Sequence, residues 1–277
     1  MPAKPIKRTA FFVSDRTGIT VEMFGHGLLT QFEGIRFNEI AEPFIDSVEK
    51  AHELVQVINQ ASASDGARAL VFCTLANPEL GAVLAKAEAL VLDCFQVFIP
   101  PIEKELGIAS SHLVGRSHSA TDMSDYHQRI EAVNFALAHD DGGSARDLNS
   151  ADVILVGVSR CGKTPTCLYM AMQYGIRAAN YPLVPEDFGS MRLPSQLTSH
   201  GARLFGLTIK PERLNLVRNE RKPDSKYSTL ANCRFEVREA EALMRQEGVR
   251  YIDTTSKSIE ELATTILREA NLVRHVY

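Results

Sequence analysis

The stretch A-D-V-I-L-V-G-V-S-R-C-G-K-T-P-T-C-L, residues 151–168, constrains the fold more than any other part of the chain. A largely apolar run at 152–156 ends on Gly157. A short loop follows, and then Leu168, Met172 and Ile176 recur at helical spacing. The loop fits G-x-x-x-x-G-K-[ST], with Gly157, Gly162, Lys163 and Thr164 in the specified places. An apolar run bounded by glycine is the pattern of a parallel strand covered on both faces. A loop of this length wraps linked phosphates with backbone N–H groups, and glycine lets the backbone approach without a Cβ.

The spacing therefore predicts a nucleotide loop in which residues 157–164 (Gly157, Val158, Ser159, Arg160, Cys161, Gly162, Lys163 and Thr164) hold a diphosphate. Lys163 reaches the terminal phosphates, the Thr164 hydroxyl ligates Mg²⁺, and the following helix turns its positive end to the anion. Pro165 falls in the first helical turn, where proline is tolerated but offers no N–H. The alternative for the same residues is a glycine turn without a nucleotide. Cys161 is expected to face solvent or ligand, as loop filler or as a reactive thiol.

At 277 residues the chain is long enough for two domains. Strand and helix signals alternate: strands at 8–14, 37–44 and 69–74, and helices at 20–32, 47–61 and 78–89. Residues 90–98 read as a strand or a helix, and 126–138 as a helix. Asp140-Asp141-Gly142-Gly143-Ser144 then punctuates the chain. The predicted class is α/β, an N-terminal open α/β domain over 1–148 and a C-terminal P-loop kinase-like α/β domain over 149–277. In the second domain, 176–181, 202–208 and 251–253 read as strands, with helices beginning at 211, 234 and 258.

Composition narrows the function classes. A net charge of -4 shows no basic footprint for nucleic acid. No apolar run approaches the roughly 18 residues of a membrane helix, and the start carries no apolar signal core. A cytoplasmic location is expected. Five cysteines without a C-x-x-C pair predict neither a disulfide framework nor a zinc site.

Other polar groups carry two readings each. The basic run 210–226 folds over the phosphates and supplies arginines, or is a solvated helix face. Glu186 and Asp187, at a strand end, hold Mg²⁺ or accept a hydroxyl proton, or mark a helix N-terminus. Asp253 is a metal candidate or a turn cap. Ser14-Asp15-Arg16-Thr17-Gly18 is an anion-cradling turn or a plain N-cap. The cluster His139-Asp140-Asp141 complements a helix dipole or takes part in catalysis.

Six segments together carry a family likeness: S-D-R-T-G-I-T-V-E (14–22), F-A-L-A-H-D-D-G (135–142), V-S-R-C-G-K-T-P-T-C-L-Y-M-A (158–171), G-I-R-A-A-N-Y-P-L (175–183), L-F-G-L-T-I-K-P-E-R-L (204–214) and S-I-E-E-L-A-T (258–264). They resemble the bacterial phosphoenolpyruvate synthase regulatory proteins. A sister group acts on pyruvate, phosphate dikinase; H-D-D-G with S-R-C-G-K-T-P-T favours the synthase branch.

The resemblance implies a bifunctional serine/threonine kinase and phosphorylase. It would phosphorylate a threonine of phosphoenolpyruvate synthase from ADP, inactivating it, and reverse this with inorganic phosphate as co-substrate, releasing pyrophosphate. Lys163, Arg160 or an arginine of 213–221, and Mg²⁺ on Thr164 would neutralise charge, and Asp187 would orient or deprotonate the threonine hydroxyl. The first domain would recognise the protein target, and a homodimer is possible. A small-molecule P-loop kinase and a non-enzymatic nucleotide sensor are the competing readings.

Overall fold

The computed structural model describes residues 6–111, 123–140, 147–189 and 192–274. The chain divides into two compact units, Met1–Ser119 and Ala120–Tyr277.

The first unit carries strands β1 (Ile6–Ser14), β2 (Ile35–Glu42), β3 (Ala69–Thr74) and β4 (Ala89–Asp93), all parallel, in the order β2-β1-β3-β4. Its helices are α1 (Ile19–Leu29), α2 (Val48–Asp65), α3 (Pro78–Leu84) and α4 (Cys94–Leu106). Strand side chains alternate between faces. Phe11, Val13, Val71 and Cys73 accordingly enter one buried cluster with residues of α2 and α3, while Ala10, Phe12 and Phe72 enter another with Val21 and Leu29 of α1. The ambiguous stretch 90–98 is both things in turn. It closes β4 and opens α4, whose first N–H groups are capped by Asp93 Oδ1. Pro100 and Pro101 lie inside α4, which has no fully buried side chain, so carbonyls they orphan can meet water.

The second unit opens with α5 (Met123–Ala138) and continues through β5 (Val153–Gly157), α6 (Lys163–Tyr174), β6 (Ala178–Pro182), α7 (Pro185–Phe188), β7 (Leu204–Thr208), α8 (Pro211–Arg221), α9 (Leu230–Gln246), β8 (Tyr251–Asp253) and α10 (Ile259–Glu269). Its sheet is again all parallel, in the order β6-β5-β7-β8. Every residue of β5 is buried, as its unbroken apolar run requires. The chain leaves β5 toward β6 and returns on the other side to β7. Beyond the carboxyl ends of β5 and β7 lies the crevice where open α/β sheets bind ligands.

The division at 119/120 differs from the boundary at 148/149 expected from the punctuation after α5, of which residues 141–144 lie outside the described residues. Packing explains the shift. Helix α5 contacts α6 and β6, and its Ala132 and Ala136 sit in the same core as Val153–Val156. Among the described residues no helix is long and apolar enough to cross a membrane.

Candidate active site

Strand β5 delivers Gly157 at φ 153 into residues 158–162, and α6 starts at Lys163. A Cβ on Gly157 would lie 2.2 Å from the Leu207 carbonyl oxygen, so only glycine lets this strand end pass β7. Gly157→Ala is expected to destabilise the protein by about 3 kcal/mol, adding backbone strain to a steric clash. An unchanged urea midpoint would contradict this.

Arg160 (φ 74) and Gly162 (φ 98) both take the left-handed conformation. Such alternation turns neighbouring N–H groups into a concave anion-binding nest. Among the described residues no backbone carbonyl accepts from the N–H groups of Ser159, Arg160, Cys161 or Gly162. Gly162 caps α6 without any side-chain cap bond, so the first N–H groups of the helix face the same space. An anion placed there would supply acceptors for these N–H groups.

Lys163 is 3% exposed, and its Nζ donates to the Gly157 and Val158 carbonyls at 3.0 and 2.9 Å. The ammonium is thus held within the loop's own curve. Arg160 is half-buried and has no ion-pair partner among the described residues. Thr164 Oγ1 donates to Asp140 Oδ1 at 2.7 Å, and Asn180 Nδ2 donates to the same Asp140 oxygen at 2.6 Å and to Thr164 Oγ1 at 2.9 Å. Asp140 comes from the end of α5 and Asn180 from the middle of β6. The Asn180 N–H donates to the His139 carbonyl at 3.0 Å, which fixes the two elements together. A hydroxyl and a carboxylate side by side are hard oxygen donors, the set that Mg²⁺ takes beside a phosphate.

The structure corrects some of the sequence expectations and bears on others that carried two readings. Cys161 does not face solvent or ligand. It is 1% exposed, its Sγ lies close to Gly157, and burial pushes its thiol pKa up. The basic run 210–226 does not act as one surface. Arg213, Arg221, Lys222 and Lys226 are exposed, whereas Arg218 is fully buried and paired to Glu236 at 2.6 Å. Asp187 Oδ2 accepts the Val184 N–H at 2.9 Å, the helix-start role that was one of its two readings. Asp253 Oδ1 accepts the Thr255 N–H at 2.8 Å and so caps the next turn. His139 stacks on Phe135 with its ring centroid 3.9 Å away, at the end of α5.

In the first unit, Gly18 begins α1 with no side-chain cap bond, while Ser14 Oγ accepts the Arg16 N–H and Asp15 Oδ2 accepts the Ala76 N–H. Those side chains tie the end of β1 to the segment after β3.

Sequence reading gave Asn180 no role and left Asp140 between two roles. The signal for Asn180 is present, since a lone amide sits within an otherwise apolar buried strand, Ala178–Pro182. Arg218 and Glu236 carried a comparable signal: each falls on the buried stripe of its helix, beside Leu214 and beside Cys233 and Val237.

A profile of the kinase/pyrophosphorylase family matches residues 10–267. A protein of Burkholderia ambifaria (strain MC40-6) is 56% identical over 97% of this chain and 99% of its own length. One from Cupriavidus pinatubonensis is 55% identical over 99% of this chain and 91% of its own length. One from Herminiimonas arsenicoxydans is 55% identical, covering 96% and 94%. Each carries the provisional name of phosphoenolpyruvate synthase regulatory protein. The glycine loop, the buried lysine and the Thr164–Asp140 pair thus stand in a chain that belongs to the kinase/pyrophosphorylase family.

Proposed function

We propose that this protein is an ADP-dependent threonine kinase and a phosphate-dependent pyrophosphorylase whose target is phosphoenolpyruvate synthase. The observation that carries the reading is the loop itself, a curve of N–H groups without backbone acceptors around a buried ammonium, within a family named for both reactions. The target is supported by the names of the relatives.

In the forward direction the threonine oxygen forms a bond to the β-phosphorus of ADP, the bond to the bridging oxygen breaks, and AMP leaves. The threonine proton goes to a carboxylate or to water. In the reverse direction an oxygen of inorganic phosphate attacks the phosphothreonine phosphorus, and pyrophosphate leaves with the threonine hydroxyl restored. A diphosphate unit stands at the start of one reaction and at the end of the other, which is why one cradle serves both.

Phosphoryl transfer asks for placement and charge neutralisation more than covalent chemistry. The N–H groups of 159–164 hold the non-transferred oxygens, Pro165 contributing none. Lys163 leaves its two carbonyls for the phosphates, and Arg160 adds a second positive charge. Mg²⁺, when bound, supplies further charge neutralisation, held by Thr164 Oγ1 and Asp140. Asp187, in α7 beyond the end of β6, would orient the acceptor hydroxyl with the oxygen that does not accept the Val184 N–H. Target recognition falls to the first unit in this reading, supported by exposed apolar side chains on α1 and α4, among them Met23, Val97 and Ile102.

Intact mass of the synthase tests the reading. Incubation with this protein, ADP and Mg²⁺ is expected to add one phosphoryl group to a threonine. Subsequent phosphate without ADP is expected to remove it with release of pyrophosphate. No mass change under either condition contradicts the proposal, and turnover of a small metabolite without a protein acceptor would replace it with a small-molecule kinase.

A further inference from the structure

Beneath the phosphate loop lies a buried polar assembly built from α8, the turn after it and α9. Arg218 is completely buried and lies at its centre. Its Nη2 donates to Glu236 Oε2 at 2.6 Å and to the Ser159 carbonyl at 3.1 Å, and its Nη1 donates to the Tyr227 carbonyl at 3.1 Å. The guanidinium carbon sits 4.1 Å from the centre of the Tyr227 ring. Tyr227 Oη in turn donates to Ser159 Oγ at 3.0 Å, and Asn232 Nδ2 holds the second oxygen of Glu236 at 2.7 Å. Two separate groups therefore grip one loop residue, Ser159, by its carbonyl and by its hydroxyl.

The peptide plane turns this grip into a consequence for ligand binding. In a trans peptide the C=O of one residue and the N–H of the next point in opposite directions. With the Ser159 carbonyl drawn down to the buried guanidinium, the Arg160 N–H faces the opposite, open side of the loop. The left-handed conformation of Arg160 is not one that a non-glycine residue takes without cost. Something outside the loop has to hold it, and the two bonds to Ser159 are suited to that. A buried guanidinium with fixed partners is also a rigid anchor, because its planar fork leaves little freedom.

We infer that Arg218 and Tyr227 are positioning residues that act through Ser159 to set the diphosphate cradle before ligand arrives. The inference rests on the nucleotide reading of the loop and adds to it the group that fixes the loop's shape. Neither residue touches phosphate. The Tyr227–Ser159 bond is the arm that can be removed without disturbing the buried ion pair.

The test is a double-mutant cycle on that bond, with ADP and inorganic pyrophosphate as probes in titration calorimetry. Tyr227→Phe keeps the ring under Arg218 and Ser159→Ala keeps the backbone. Each is expected to weaken binding of both probes about fivefold, the worth of one hydrogen bond. The double variant is expected to lose no more than either single one. Melting temperatures are expected to fall by only about 2–4 °C, the cost of one hydrogen bond, whereas a merely structural role would leave the affinity of the folded protein at the wild-type value. In turnover Tyr227→Phe, which lies outside the cradle, is expected to show the loss in KM for ADP, with kcat at saturation retained.

Wild-type affinity in both single variants, or losses that multiply to about twenty-five-fold in the double variant, would overturn the inference and leave the kinase reading standing. If the wild-type protein bound neither ADP nor pyrophosphate, both would fall. Should Tyr227→Phe not fold, Ser159→Ala alone decides, since wild-type affinity there overturns the inference.

Discussion

Replacing Lys163 by alanine is expected to lower both the kinase and the phosphorolysis rates about a thousandfold, with the protein still folded. The ammonium is buried and points at two loop carbonyls, so its removal deletes the main fixed charge inside the curve of the loop. Water cannot replace it well, because a site shielded from solvent makes each fixed charge count for more than it would in bulk. The two rates are expected to fall by similar factors, since the same ammonium faces the diphosphate as donor in one reaction and as product in the other. Parallel assays of transfer from ADP and of pyrophosphate release check this. Full turnover in one direction alone would mean that the two reactions use different sites.

Glu236→Ala is expected to produce the largest loss of stability, about 4 kcal/mol, or a fall in melting temperature of roughly 10 °C. Arg218 is fully buried, and Glu236 is its only carboxylate partner among the described residues. Removing one member of such a pair strands the other charge in a low-dielectric interior, which costs far more than the pair itself contributes. Replacing both, as Arg218→Met with Glu236→Leu, is expected to recover most of the melting temperature, because no unpaired charge remains. ADP affinity is expected to fall in the double variant, since the Ser159 carbonyl loses its donor only when Arg218 is replaced. Calorimetric melting and ADP titration of the three proteins separate these effects; a double variant as unstable as Glu236→Ala would show that the penalty lies elsewhere.

The parts of this molecule legible in its sequence are those fixed by local pattern. Strand β5 could be read because a doubly covered strand is apolar throughout, and the loop after it because Gly157 and Gly162 stand where the backbone turns left-handed or passes close to β7. Strands β1 and β3 were visible for the same reason. Helix α4 was read only as one of two alternatives for 90–98, and its continuation to Leu106 was missed because Pro100 and Pro101 argue against a helix interior, where its exposed position accommodates them. The expected boundary at 148/149 and the division at 119/120 differ because sequence punctuation marks the end of a helix, while the division into compact units follows what that helix packs against.

Within the site, the reach of sequence reading ends where contacts become non-local. Thr164 as a metal-side hydroxyl follows from its place after Lys163. Its contact with Asp140 joins residues 24 apart, through the packing of α5 on α6, and that of Asn180 with Asp140 joins residues 40 apart, through the packing of α5 on β6. Arg218 was visible only as one charge among several on α8. Its burial depends on Glu236 arriving from α9, which the spacing along either helix does not state.

The most direct test is a crystal structure of the protein with ADP and Mg²⁺. The diphosphate is expected against the N–H groups of residues 159–164, with Lys163 Nζ swung from its carbonyls onto phosphate oxygen and the metal between Thr164 Oγ1, Asp140 and the phosphates. ADP bound elsewhere on the chain, with this loop closed on its own side chains, would contradict the account.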